Sequence, residues 1–204
     1  MKKIDLFVNS IYKFENFIDN NLRIKFIEFI KSKIDLFDKH TAFTGKSISS
    51  HYKQHSIKNF EGGDFIFDLF EQNIPEAINF KSKIITSINQ VGKELGFNNT
   101  QLHNSWANIQ YPGDAIRKHS HNFSKISGVL YLNTDDKSSK LYFYNPNLLI
   151  VNHNYDFLNS SNFEYYSIVP KNNDLILFPG WLQHGTDYER NESDERISLS
   201  FNVQ

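Results

Sequence analysis

The period of the apolar residues changes near Gly96, and that change limits the folds open to this chain. Before it, Phe14, Phe17, Ile18, Leu22, Phe26, Ile30 and Ile34 recur at helical spacing and predict a helix over about 11–37. Ile74, Ile78, Ile85, Ile88, Val91 and Leu95 form a second stripe. That stripe starts at a plausible N-cap, Asn73, with Pro75 and Glu76 in the first turn, and stops at Gly96. Between the two, the polar segment 41–65 with Gly45, Gly62 and Gly63 predicts loop or irregular strand. After Gly96 the pattern is one of short strands, at 106–111, 126–133, 140–144, 168–170, 175–178 and 196–203. They are separated by polar turns such as Pro112-Gly113-Asp114 and Lys171-Asn172-Asn173-Asp174. Such a series predicts a sandwich or jelly-roll barrel in residues 100–204, with a mainly helical region, 1–99, packed on it.

Composition narrows the function classes. Apolar residues make up 39% and aromatic residues 15% of the 204, enough for a real core. A net charge of −1 argues against a broad nucleic-acid surface. With no cysteine, disulfides, thiolate metal sites and a cysteine nucleophile are excluded, so any metal must take imidazole, carboxylate or water ligands. Asp5 and Asn9 interrupt the N-terminal apolar stretch, and no run approaches the ~18 apolar residues needed to cross a bilayer. The expectation is a soluble cytoplasmic protein.

Three histidines stand apart from the others. His119 and His121 are two residues apart, so on a strand both would project from one face. His184 follows the apolar run 175–178 and Pro179-Gly180, and supplies a distant third imidazole. Three such ligands can hold one metal ion and leave positions open, but imidazole suits iron, zinc, nickel and copper alike. The plain alternatives are a solvated loop pair beside Arg117 and Lys118, and a structural His184. The remaining His40, His51, His55, His103 and His153 have no partner at ligand spacing.

Arg196 adds separate information. Its strand alternates Arg196, Ser198, Ser200 and Asn202 with Ile197, Leu199, Phe201 and Val203. A polar face is normally the solvent side of a sheet. In a barrel the same face lines the cavity, where a guanidinium would hold a carboxylate bidentately and Ser198 would add a hydrogen bond.

These residues carry a resemblance. Ser105-Trp106-Ala107-Asn108, His119-Ser120-His121, Ser127 to Leu132, Leu175 to His184 and Arg196 to Asn202 occur in an order that resembles the double-stranded β-helix of the Fe(II)/2-oxoglutarate-dependent oxygenases. The similarity is strongest to a group of small bacterial and phage proteins of that superfamily, with prolyl-hydroxylase-like segments at Tyr111-Pro112-Gly113 and Tyr131-Leu132-Asn133. It spans about half the chain, from Trp106 to Asn202. The resemblance implies His119, His121 and His184 as iron ligands, and Arg196 as the site of the distal carboxylate of 2-oxoglutarate, assisted by Ser198 and Tyr131. It places Asn108 in the cavity wall and Trp181 at the substrate mouth. His121 departs from the pattern, since most oxygenases of the class carry Asp or Glu there.

The activity implied is a non-haem dioxygenase that hydroxylates a small-molecule or peptidyl substrate with dioxygen, releasing succinate and carbon dioxide. Two other readings remain at the level of sequence. One is a three-histidine cupin-like dioxygenase that does not use 2-oxoglutarate, in which Arg196 has no obvious task. The other is a non-enzymatic jelly-roll binding module.

Overall fold

The computed structural model describes residues 2, 8–39, 43–50, 75–147, 154–159 and 162–204. Among them the N-terminal half supplies β1 (Tyr12–Phe14), α1 (Asn20–Ser32), a 3-10 turn at Ile34–Leu36, β2 (Asp38–Lys39), β3 (Phe43–Thr44), β4 (Ile48–Ser49) and α2 (Pro75–Glu94). The C-terminal half supplies β5 (Leu102–Gln110), β6 (Ala115–Ile116), β7 (Ile126–Asn133), β8 (Leu141–Tyr144), β9 (Tyr165–Ile168), β10 (Leu175–Pro179), β11 (His184–Gly185) and β12 (Arg196–Val203).

Seven strands form the larger sheet in the order β1-β10-β7-β12-β5-β4-β2, and β11-β8-β9 form a smaller one. The pairing is antiparallel in both. Alternation sorts each central strand of the large sheet between two cores. Ile197, Leu199, Phe201 and Val203 of β12 join Ile126, Leu130 and Leu132 of β7 and Leu175 and Leu177 of β10 under the helices. The opposite face, with Val129, Tyr131, Ile176 and Phe178, packs on Leu141, Phe143 and Ile168 of the smaller sheet. This is the jelly-roll barrel expected, with helices on one face of the major sheet.

The helices dock by single stripes. Leu22, Phe26 and Ile30 of α1 and Phe80, Ile84, Ile88 and Val91 of α2 are buried against the sheet. Burying each such side chain contributes about 1.5–3 kcal/mol. Ile85, expected in the buried stripe, is instead 38% exposed, because Ile84 takes the position four residues before Ile88. Gly96 ends α2 as expected: its φ of 87° is a left-handed conformation that L side chains rarely adopt.

The first helix is shorter than its apolar spacing predicts. Asp19 is extended, and its carboxylate accepts a hydrogen bond from the Leu22 amide at 2.8 Å, so the helix starts there. The preceding residues pair as an edge strand, Tyr12 opposite Leu177 and Phe14 opposite Leu175. The N-terminal half is therefore not only helical, since β1, β2 and β4 extend the large sheet. Asn73, Ile74, Gly62, Gly63, His40, His51, His55 and His153, and the side chains of Glu76 and Ile78, lie outside what is described. His103 is exposed at the start of β5.

Candidate metal centre and anion site

His119, His121 and His184 meet at one end of the barrel, each offering a ligand atom within 4.8 Å of the other two. They do not reach this arrangement from one regular strand. His119 exchanges both backbone hydrogen bonds with His184, at 2.9 Å each, which fixes these two side by side. His121 lies past this bridge, where its amide donates to the Gly180 carbonyl at 2.7 Å and its carbonyl accepts from Ser124 at 2.9 Å. A Cβ on Gly180 would stand 2.2 Å from the Ser124 oxygen and 2.9 Å from the His121 oxygen. Only glycine allows this approach. Gly185 plays the same part beside His184, since a Cβ there would meet the Ile116 oxygen at 2.9 Å.

Two imidazoles have their tautomer set by the backbone. Nδ1 of His119 lies 2.7 Å from the Arg117 carbonyl, and Nδ1 of His184 lies 2.9 Å from the Leu182 carbonyl. A carbonyl can only accept, so Nδ1 carries the proton and the Nε2 lone pair is left for a metal. Burial holds both rings below the ordinary histidine range, and His184 well below it, with the neighbouring His119 and His121 adding to the effect. Phe178 packs edge-on to His184 at 4.6 Å, and Trp106 lies 5.8 Å from His121. These two neutral, oriented imidazoles can take a divalent ion without first losing protons.

The same cavity, of about 440 Å³, holds a cation. Arg196 lines it and is only 2% exposed. Its guanidinium lies 5.1 Å from the centre of the Tyr131 ring, and Nη1 donates to Oε1 of Gln110. Nε has no hydrogen bond, and among the described residues no carboxylate pairs with this charge. Burial lowers the Arg196 pKa and raises that of the fully buried Tyr131, whose hydroxyl feels the Arg196 charge without reaching hydrogen-bond geometry. A buried, uncompensated guanidinium is costly and is relieved by an anion.

The other expected residues are distributed unevenly. Ser198, Tyr131 and Asn108 all line the cavity. Asn108 donates to Ser200 Oγ at 3.1 Å. The polar face of β12 thus faces inward, as the barrel reading requires. Trp181 does not line the cavity and is 46% exposed; Trp106 is the tryptophan that lines it, beside His121. Sequence reasoning missed Gln110, opposite Arg196 in the β5–β12 register, and Thr186, whose hydroxyl accepts from the Ile116 amide at 2.8 Å. The alternation of Trp106, Asn108 and Gln110 on β5 was the available signal.

Facing antiparallel sheets with a histidine cluster and a buried arginine in one cavity define the class of the double-stranded β-helix oxygenases. Residues 104–202 match the family model described as "Putative 2OG-Fe(II) oxygenase". Over its barrel this chain matches that family, and its cofactors are Fe(II) and 2-oxoglutarate.

Solved structures agree in fold. A prolyl-4-hydroxylase of Pseudomonas putida is 15% identical, with a TM-score of 0.61 over 95% of this chain and 92% of that one. A Trichoplax adhaerens prolyl hydroxylase in complex with a hypoxia inducible factor peptide fragment is 15% identical, with a TM-score of 0.63 over 96% and 83%. HygX from Streptomyces hygroscopicus, with nickel, 2-oxoglutarate and hygromycin B bound, is 10% identical, with a TM-score of 0.60 over 96% and 82%. Sequence comparison with characterised proteins finds no match. Among the described residues no helix is long and apolar enough to cross a membrane.

Proposed function

We propose that this protein hydroxylates a C–H bond of a small-molecule or peptidyl substrate, with His119, His121 and His184 as the iron ligands and Arg196 as the anchor of 2-oxoglutarate. In balance, substrate, dioxygen and 2-oxoglutarate become hydroxylated substrate, succinate and carbon dioxide. The observation that carries the reading is the coexistence, in one cavity, of three convergent imidazoles and a buried guanidinium without a counter-ion. Bound Fe(II) supplies the redox chemistry, so no side chain need act as a general base.

The protein's own residues bind and orient. His119 and His184 present Nε2 because the Arg117 and Leu182 carbonyls hold Nδ1–H. Arg196 receives the distal carboxylate by charge-assisted hydrogen bonds, Ser198 and the Tyr131 hydroxyl add donors, and Asn108 forms wall. Three neutral imidazoles leave the full metal charge in the cavity, where the usual Asp or Glu would remove one unit. A dianionic co-substrate brings negative charge both to that ion and to Arg196. A three-histidine dioxygenase without 2-oxoglutarate would leave Arg196 without a counter-ion.

The test is succinate formation by anaerobically reconstituted protein on admission of dioxygen. Slow succinate release without added substrate is expected from the wild type and is lost in His184→Ala and Arg196→Ala. Equal release from Arg196→Ala, or dioxygen consumption without succinate in the wild type, sinks the reading.

A further inference from the structure

Gln110 is fully buried, sits directly across the β5–β12 pairing from Arg196, and is not part of the cavity wall. Its amide is committed at both ends. Oε1 accepts from Arg196 Nη1, and Nε2 lies 3.4 Å from the Thr186 hydroxyl oxygen, to which it donates. That oxygen belongs to Thr186, two residues after His184, and it also accepts from the amide of Ile116, three residues before His119. The guanidinium is thus held from behind by a neutral group that the metal-bearing segments themselves position.

We propose that Gln110 is a positioning and selectivity residue for the co-substrate: it fixes Arg196 while leaving its charge uncompensated, so the cavity selects a 2-oxo acid with a second carboxylate. The inference rests on the reading of Arg196 as the 2-oxoglutarate anchor. A carboxylate at this position would orient the guanidinium equally well. It would also neutralise it in advance, and the distal carboxylate of 2-oxoglutarate would then face a closed ion pair. A neutral amide is the choice that positions without competing. Glutamate fits the same space, and the Thr186 hydroxyl can turn its proton toward the new acceptor.

The test uses full-length protein loaded anaerobically with Fe(II), titrated calorimetrically with two ligands. One is 2-oxoglutarate; the other is 2-oxopentanoate, which has the same carbon chain without the distal carboxylate. Wild type binds 2-oxoglutarate far more tightly than 2-oxopentanoate. In Gln110→Glu the affinity for 2-oxoglutarate falls on the order of 100-fold, the cost of a competing buried charge pair. Affinity for 2-oxopentanoate and for Fe(II) stays within about threefold, and the metal-free protein melts at higher temperature because Arg196 has gained a counter-ion. In Gln110→Met the guanidinium loses its acceptor but keeps its charge. There 2-oxoglutarate binding falls by about tenfold, the worth of one charged hydrogen bond, with 2-oxopentanoate again unchanged.

Gln110→Glu binding 2-oxoglutarate like wild type overturns the proposal, as does equal loss of both ligands in Gln110→Met, which reports structural damage. Wild type that fails to prefer 2-oxoglutarate overturns the Arg196 reading itself, a result separable from either.

Discussion

Replacing Gly180 with alanine tests whether His121 is held where a metal needs it. The Cβ would enter at 2.2 Å from the Ser124 carbonyl oxygen and 2.9 Å from that of His121. Both are backbone atoms and cannot swing aside. Restoring an ordinary contact of 3.4 Å or more therefore moves the 121–124 turn by about 1.2 Å, whereas ligand distances tolerate only about 0.2 Å. The hydrogen bond from the His121 amide to the Gly180 carbonyl is strained by the same movement. Overpacking of this kind costs about 1–3 kcal/mol, and in a chain of this size each kcal/mol lowers Tm by about 2–4 °C, so the fold survives. Metal affinity does not. A misplaced ligand is expected to cost Fe(II) binding about 10–100-fold, close to the loss in His121→Ala. Anaerobic Fe(II) titration beside a thermal melt makes the measurement. Wild-type iron affinity in Gly180→Ala, with melting lowered as expected, would show that His121 is not a ligand.

The metal-free protein should lose stability on mild acidification. His119 and His184 are kept neutral by burial, so below the ordinary value of about 6.5 the unfolded chain takes up protons that the folded one refuses. Unfolding free energy then falls by up to about 1.4 kcal/mol per pH unit for each histidine, and these two groups contribute no slope above that pH. Urea denaturation from about pH 5 to 8 reads it, and a flat acid limb contradicts the burial argument. Asp19→Ala removes the cap on Leu22 and should cost about 0.5–2 kcal/mol in the same assay with iron affinity unchanged; no loss would mean that α1 is not capped there. Ile88→Ala should cost about 2–5 kcal/mol and Ile85→Ala no more than about 0.5, since only Ile88 is fully buried; reversed costs would place the helix in the wrong rotation.

The features legible in the sequence are those with a long local period. Eight residues of strict alternation from Arg196 to Val203 were enough to separate a cavity face from a helix-covered face. The left-handed stop at Gly96 was equally plain. Elements built by contact were not. Phe14, Phe17 and Ile18 have helical spacing, yet their conformation is decided by the Asp19 cap and by pairing with β10, neither of which spacing reports.

The two-residue strand β11 is too short to carry a period, and it matters because it sets His184 against His119. The three histidines could be grouped by type and order, and the structure brings all of them together. The turn that delivers His121 depends on the close approach of Gly180, a tertiary contact. Gln110 was visible in the alternation of β5, but its meaning lies in the cross-strand register with Arg196. Trp181, which the resemblance places at the substrate mouth, is 46% exposed and does not line the cavity.

The central claim is that three imidazoles and one arginine together form a single Fe(II)/2-oxoglutarate centre. Anaerobic addition of Fe(II) and then 2-oxoglutarate, followed by visible charge-transfer absorption, addresses it most directly. The account predicts a band in the wild type that weakens in Arg196→Ala and is absent in His184→Ala. Iron binding without a band, or a band indifferent to Arg196→Ala, would contradict it.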